Sequence, residues 1–197
     1  MLRLVPCLAL GAILMIGGCG DPDDEAFTSS PAGWSTPGCE LARQPESITV
    51  GGLTMPTTPA ALDAAIARID QGGRKDFKQS YAGVEVDQRH VRAFVYRVPS
   101  ADFDAFIRTA AETTCIHVRD APHSAADLAV WHDRVVADLS FWTARGIRIV
   151  TIGARHDGSG VEVGTQDPER ARLELPAHYG RRAPLVIVDQ PPVQPFS

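Results

Sequence analysis

The chain lacks an excess of positive charge. Its 197 residues carry 19 Lys and Arg against 24 Asp and Glu, a net charge of −5. An acidic chain offers no basic footprint for a nucleic-acid backbone, so that partner class is excluded. Catalytic signatures are missing too. The sequence has no HExxH, no Walker A loop and no GxGxxG after a strand. It has no CxxC, and its six histidines show no close metal-ligand spacing. Beyond residue 18 it has no long apolar run. What is present is an ordinary composition. At 44% hydrophobic and 22% charged, the chain can fill a core and is not disordered throughout. Its length suits one domain or two small ones.

The N-terminus is the most informative stretch. Arg3 precedes an uncharged run over residues 4–18. As a helix that run would be about 22 Å long, short for a ~30 Å hydrocarbon core. A basic start and a short apolar stretch read as an export signal. The run ends Ile16-Gly17-Gly18-Cys19. This resembles the lipobox of bacterial lipoproteins: a branched apolar residue, two small ones, then Cys. The resemblance implies cleavage after Gly18, a diacylglyceryl group on the Cys19 thiol, and acylation (palmitate) of the new amine. Several chains hold a protein to a bilayer far more firmly than one. The expected location is the extracytoplasmic face of the cell membrane. Loss of residues 1–18 removes one cation and no acid, leaving 18 basic side chains against 24 acidic ones, a net of −6.

Four cysteines are present. Cys7 leaves with the signal and Cys19 takes the lipid. Cys39 and Cys115 remain, an even pair in an exported protein, and are expected to oxidise to a disulfide. That bridge would close a loop of about 77 residues, worth on the order of 4 kcal/mol in the chain-entropy model. Two free thiols or metal ligands are the alternatives.

The domains follow. Residues 1–18 are signal, and 19–45 are a lipidated Cys and an acidic, Pro/Ser/Gly-rich tether. Residues 46–190 are the body, and 191–197 a loose Pro-rich tail. In the tether, Asp21, Asp23, Asp24 and Glu25 lack the spacing of a calcium loop. Trp34 is free to dock on the body or on the membrane surface. In the body, residues 48–50 suggest a short strand. Thr58-Pro59 opens a helix carrying Leu62, Ile66 and Ile69 on one face, with Gly72-Gly73 as its expected end. Residues 81–87 and 91–98 read as a hairpin. Ser100 caps the next helix, and 115–119 is a strand. Ser124 opens what reads as the longest helix, 125–145, striped by Leu128, Trp131, Val135, Leu139 and Trp142. Then come strands 147–152 and 161–165, a helix from Asp167-Pro168 that Pro176 should kink or stop, and a strand at 185–188.

The order strand, strand, helix, strand thus occurs twice, around a long central helix. It predicts an α+β fold of small antiparallel sheets covered on one face by helices. Residues 115–191 resemble the C-terminal part of the prosegments of α-lytic and streptogrisin-type bacterial serine proteases. The likeness lies in a strand ending Ile116-His-Val-Arg119, the helix from Ser124, the hairpin holding Asp157 and Val161, and the closing Pro184-Leu-Val-Ile-Val188. It implies a shape and a protein-binding role, chaperone- or inhibitor-like towards a secreted or envelope protein. It does not imply protease activity, because the sequence ends at Ser197.

Candidate chemistry is thin. His117 and Cys115 share a strand face, with His123 close in sequence, which sketches a Cys-His-His metal cluster that competes with the disulfide. Ser159 sits in Asp157-Gly-Ser-Gly160, near His156, but lacks the GxSxG order and reads as a turn. Asp102 and Asp104 begin a helix, where acids complement the dipole. Arg92 and Arg97 fall on opposite strand faces. No catalytic residue, metal or cofactor is assigned. The favoured reading is a membrane-anchored, non-enzymatic interaction module. The alternatives are an envelope hydrolase using His156 or His117, and a small-ligand sensor with a pocket at Trp131 or Trp142.

Overall fold

The computed structural model describes residues 32–41 and 43–191. The signal, Cys19, the acidic stretch and residues 192–197 lie outside the described residues. The elements are β1 (Gly33–Ser35), β2 (Glu46–Val50), β3 (Leu53–Thr57), α1 (Ala60–Asp76), β4 (Tyr81–Asp87), β5 (Arg92–Arg97), α2 (Ala101–Ala111), β6 (Ile116–Asp120), α3 (Ala125–Ala137), α4 (Leu139–Ala144), β7 (Ile149–Ala154), β8 (Val161–Thr165), α5 (Pro168–Tyr179) and β9 (Leu185–Asp189). The fold is α+β, with three small sheets.

The first sheet has the order β1-β6-β5-β4. Strands β4 and β5 form an antiparallel hairpin. Helix α2 then crosses over and returns β6 parallel to β5. A helical crossover brings the chain back to the same sheet end, which is why the third strand runs parallel. The expectation of antiparallel sheets is corrected to mixed ones. The α2 cap is as expected: the Ser100 side chain accepts from the Phe103 N–H. Helices α1 and α2 cover one face of the sheet. Their buried Leu62, Ile69, Phe103 and Ile107 meet Tyr81, Val95, Ile116 and Val118. Arg97, 5% exposed, also points to this side. Its guanidinium donates to Asp104 at 2.6 Å and to Asp120. Asp104 therefore grips a buried cation, beyond the dipole role expected of it.

The second sheet, β7-β8-β9, repeats the plan. Strands β7 and β8 pair antiparallel, α5 crosses, and β9 returns parallel to β8. Val161, Val163 and Ile187 pack against Leu128, Val135, Trp142, Ala171 and Leu175. The Trp142 indole N–H donates to the Tyr179 hydroxyl at 2.9 Å, and that hydroxyl donates to Asp138 at 3.0 Å. Helix α3 touches both sheets, through β4 on one side and β7 and β8 on the other.

Several expectations need correction. Helix α1 does not stop at Gly72-Gly73; it runs on to Asp76 and, at 17 residues, is longer than α3 at 13. The two glycines are needed for space. A Cβ on Gly72 would strike the Phe106 ring, and one on Gly73 the Tyr81 ring. The central helix is broken at Asp138, whose φ −95°, ψ 8° ends α3 and starts α4. Its carboxylate is held by Tyr179 and by His178 at 3.2 Å. Pro176 does not stop α5. The hydrogen bond it removes is to the carbonyl of exposed Arg172, which solvent can serve. Residues 33–40, assigned to the tether, are instead structured. Strand β1 pairs with β6, and Pro37–Glu40 form a short 3-10 turn. Trp34 docks on the body, where the Arg108 guanidinium lies 4.1 Å from its ring centre. Finally, residues 48–50 have a return strand, β3, which forms the two-stranded sheet with β2.

Candidate interaction face

Alternation along a strand sends successive side chains to opposite faces. In β5, Ala93, Val95 and Arg97 face the helices, so Arg92, Phe94 and Tyr96 face the other way. Register extends this into rows. Ser35, His117, Phe94 and Glu85 lie side by side across all four strands. The next row is Gly33, Arg119, Tyr96 and Gly83, and Arg92 pairs with Asp87 beyond the first row.

Phe94 is the centre of this face, itself only 9% exposed beneath its neighbours. The Arg119 and Arg92 guanidinium carbons lie 4.5 and 5.2 Å from its ring centroid. The His117 ring stacks on it at 5.3 Å, and Ser35 Oγ meets His117 Nδ1 at 2.7 Å. Cations over an aromatic ring are attracted by its quadrupole, so the two arginines are held in place and still present their N–H groups. Burial, then the charges of Arg92 and Arg119, hold the His117 imidazole below its ordinary value.

Polar contacts fix the borders. The Tyr96 hydroxyl donates to Glu85 at 2.7 Å. Burial and that carboxylate push the tyrosine up to about 12. His156, carried on the β7–β8 turn, lies 3.6 Å from Glu85 and edge-on to Tyr96. Gly83 leaves room for the His156 carbonyl, which a Cβ there would strike. At the other border Asp87 accepts from the His90 N–H at 3.2 Å and from Arg92 at 2.9 Å, and meets His90 Nδ1 at 2.7 Å. Desolvation raises the Asp87 carboxyl; the bonds from His90 and Arg92 outweigh it and leave it lowered. These contacts hold Val91 in a left-handed conformation, φ 52°, rare for a β-branched residue. That turn aims Arg92 onto the open face.

The other expected sites fall as follows. Cys39 and Cys115 are joined by a disulfide. It sits beside the face, with Cys115 Sγ 3.6 Å from His117 Nε2. Among the described residues, Cys39, Cys115 and His117 are the group close enough to share a metal, within 4.8 Å. His123 does not join them, and with the bridge closed neither sulfur is a thiolate. Ser159 Oγ donates to Asp157 at 2.6 Å, as does its backbone N–H, so this serine is spent on its own turn. His156 and Glu85 are 59% and 48% exposed, a shallow pair and not a deep catalytic pocket. His132 and His178 pair with Asp133 and Asp138 on helices. Trp131 lies under Arg134, and the cavity beside Trp142 holds about 230 Å³. That is below the roughly 300–1,000 Å³ of small-molecule sites.

Phe94, Tyr96, Arg119 and Glu85 were not singled out in the sequence. The alternation Arg92-x-Phe94-x-Tyr96 was the available signal, since large side chains on both parities of a strand mean that both faces carry work.

No family model matches the chain, and no curated protein and no solved structure matches it. The likeness to protease prosegments rests on the pattern of residues alone.

Proposed function

We propose that this protein is a lipoprotein of the extracytoplasmic face of the cell membrane, held by acylated Cys19. It acts there as a non-enzymatic protein-interaction module, chaperone- or inhibitor-like towards a secreted or envelope protein. The observation that carries the reading is Phe94 held under Arg92, Arg119 and His117 on an open sheet face. Aromatic and Arg side chains in pre-set positions are the residue types that dominate protein–protein binding energy. The Cys39–Cys115 bridge supports an oxidising compartment. A partner that suits the face presents acidic groups, so that Arg92 and Arg119 find carboxylates.

Affinity capture from a detergent extract of the cell envelope tests this. Wild-type protein recovers a defined partner, and Arg119→Glu and Phe94→Ala lose it. Identical recoveries from wild type and both variants would refute the face. Turnover of an ester or peptide substrate that His156→Ala abolishes would replace the reading with the hydrolase one. The anchor is tested separately. Cys19→Ala should leave the protein uncleaved and without lipid mass, while the wild type gains it.

A further inference from the structure

The β2–β3 hairpin is built inside out. Its register pairs Ile48 with Met55 and Val50 with Leu53, which puts all four side chains on one face. They are 50%, 41%, 61% and 63% exposed. The opposite face carries Ser47, Thr49, Thr54 and Pro56, and Thr49 and Thr54 share a hydrogen bond of 2.9 Å. Ser47, Thr54 and Pro56 line a cleft of about 340 Å³ with Arg89. The polar face thus looks towards the 3-10 turn Gln88–His90, and the apolar face looks away. A hairpin packed for stability buries its apolar side, and two strands alone are marginal in water. The outward apolar face serves something outside the fold.

We propose that this face seats in a lipid bilayer, at the depth of the headgroups. Charge supports a lipid occupant: from Ser47 to Leu62 the chain has no ionisable side chain, while Glu46 and Arg89 line one cleft at the base of the hairpin. An uncharged tip above a charged base matches the polarity profile of a membrane surface. The positive φ of Gly51 (58°) and Gly52 (83°) makes a tight two-residue turn, so the tip is small. Length supports it as well. Thirteen residues separate Cys19 from Gly33. At most they span roughly 45 Å, which sets the furthest the body can stand from an anchored lipid. This step rests on the Cys19 anchor proposed above. A second copy fits less well, because four side chains fall far short of the roughly 800 Å² per partner that stable dimers bury. Among the described residues β2 and β3 have no further strand at their outer edges, so the hairpin stays at the interface and does not enter the hydrocarbon.

The test places a reporter at the tip. Full-chain Leu53→Trp protein is combined with vesicles of phosphatidylethanolamine and phosphatidylglycerol, with and without brominated acyl chains. The wild-type signal is subtracted. Expected are a blue-shifted emission and quenching of about twofold or more by bromolipid, both reduced by adding Val50→Asp. The hairpin lies outside both cores, so these variants fold. Water-like, unquenched emission from vesicle-bound protein overturns the proposal, including in favour of a protein partner. A blue shift that grows with protein concentration in the absence of vesicles overturns it in favour of a second copy. Intact mass reports the acylation of Cys19 independently. If Cys19 is unmodified the anchor reading fails, and the same quenching on added protein still decides the fate of the hairpin.

Discussion

The two halves of the body share a frame and differ in what they hang on it. In each, a hairpin is followed by a helix and a third strand parallel to the second. The positions match down to the strand ends: Arg97 pairs with Asp120 as Thr165 pairs with Asp189. Behind that match the solutions diverge. The first half buries the Arg97 cation between two part-exposed carboxylates and adds a disulfide. The second uses a hydroxyl, Thr165 donating to the Arg148 carbonyl at 2.8 Å, and a Trp–Tyr–Asp chain. The open faces diverge most. The first carries Arg92, Phe94, Tyr96, His117 and Arg119. On the second, the residues in register with Gly164 and Glu162 are Thr151, Gly153, Val186 and Val188. The shared frame depends on the rows that face the helices. The rows facing away are free to be bare or to bind.

The largest effects should come from the core device special to each half. Arg97→Ala leaves two carboxylates facing without their cation and should cost about 3–5 kcal/mol. Trp142→Ala should cost a similar ~3–5 kcal/mol through a cavity and the lost hydrogen bond to the Tyr179 hydroxyl. Denaturant midpoints measure both. Amide exchange by segment sharpens the comparison: Arg97→Ala should loosen β5 and β6 first, and Trp142→Ala β8 and β9.

Next is the disulfide. Cys39→Ser with Cys115→Ser should cost roughly 2–4 kcal/mol. Exchange should quicken in β1 and β6 and hardly change in β7–β9. Equal loosening of both halves would show that the two cores share one cooperative unit.

Smaller effects come from single hydroxyls. Tyr81 donates to Asp70, whose carboxyl is lowered chiefly by the Arg74 hydrogen bond, and its own hydroxyl is pushed up mainly by burial. Tyr81→Phe and Tyr179→Phe should each cost about 1 kcal/mol.

The smallest is a pH effect confined to the first half. His117 titrates below its ordinary 6.5 because it is part-buried beside Arg92 and Arg119. Near that pH the unfolded chain therefore binds more protons than the folded one. Stability from this group is complete above 6.5 and declines as pH falls through it, down to the lowered folded value. Melting temperature against pH should show a shallow acid slope there, and His117→Asn should flatten it.

How far these features could be read in advance follows their physical origin. Local signals were legible: the caps at Ser100, Ser124 and Asp167 each hold the expected N–H. The hairpins over 81–98 and 147–165 and the repeated order were legible from alternation and turn residues. The Cys39–Cys115 pair followed from an expected export signal and an even count. Long-range facts were not. Gly72-Gly73 looks like a helix stop unless Phe106 and Tyr81 are seen to press on it. Leu53–Thr57 hides as a strand because of Pro56, which its place in a two-stranded sheet tolerates. The open face needs the register of four strands, and no single segment contains that information.

The route of the chain into the body also has a mechanical meaning. Strand β1 is the N-terminal edge of the first sheet, tied by three residue pairs to β6. Four residues later Cys39 is bonded to Cys115, which immediately precedes β6. Tension applied through the N-terminal side of the chain loads β1 first. Its few hydrogen bonds give way, a short length of chain pays out, and the pull then stops at a covalent bond beside an interior strand. The load never reaches the β2–β3 hairpin or α1. The domain is thus built as a weight on a line with a short slipping section and a fixed knot. Under such a pull the chain would yield by a few residues and keep its core.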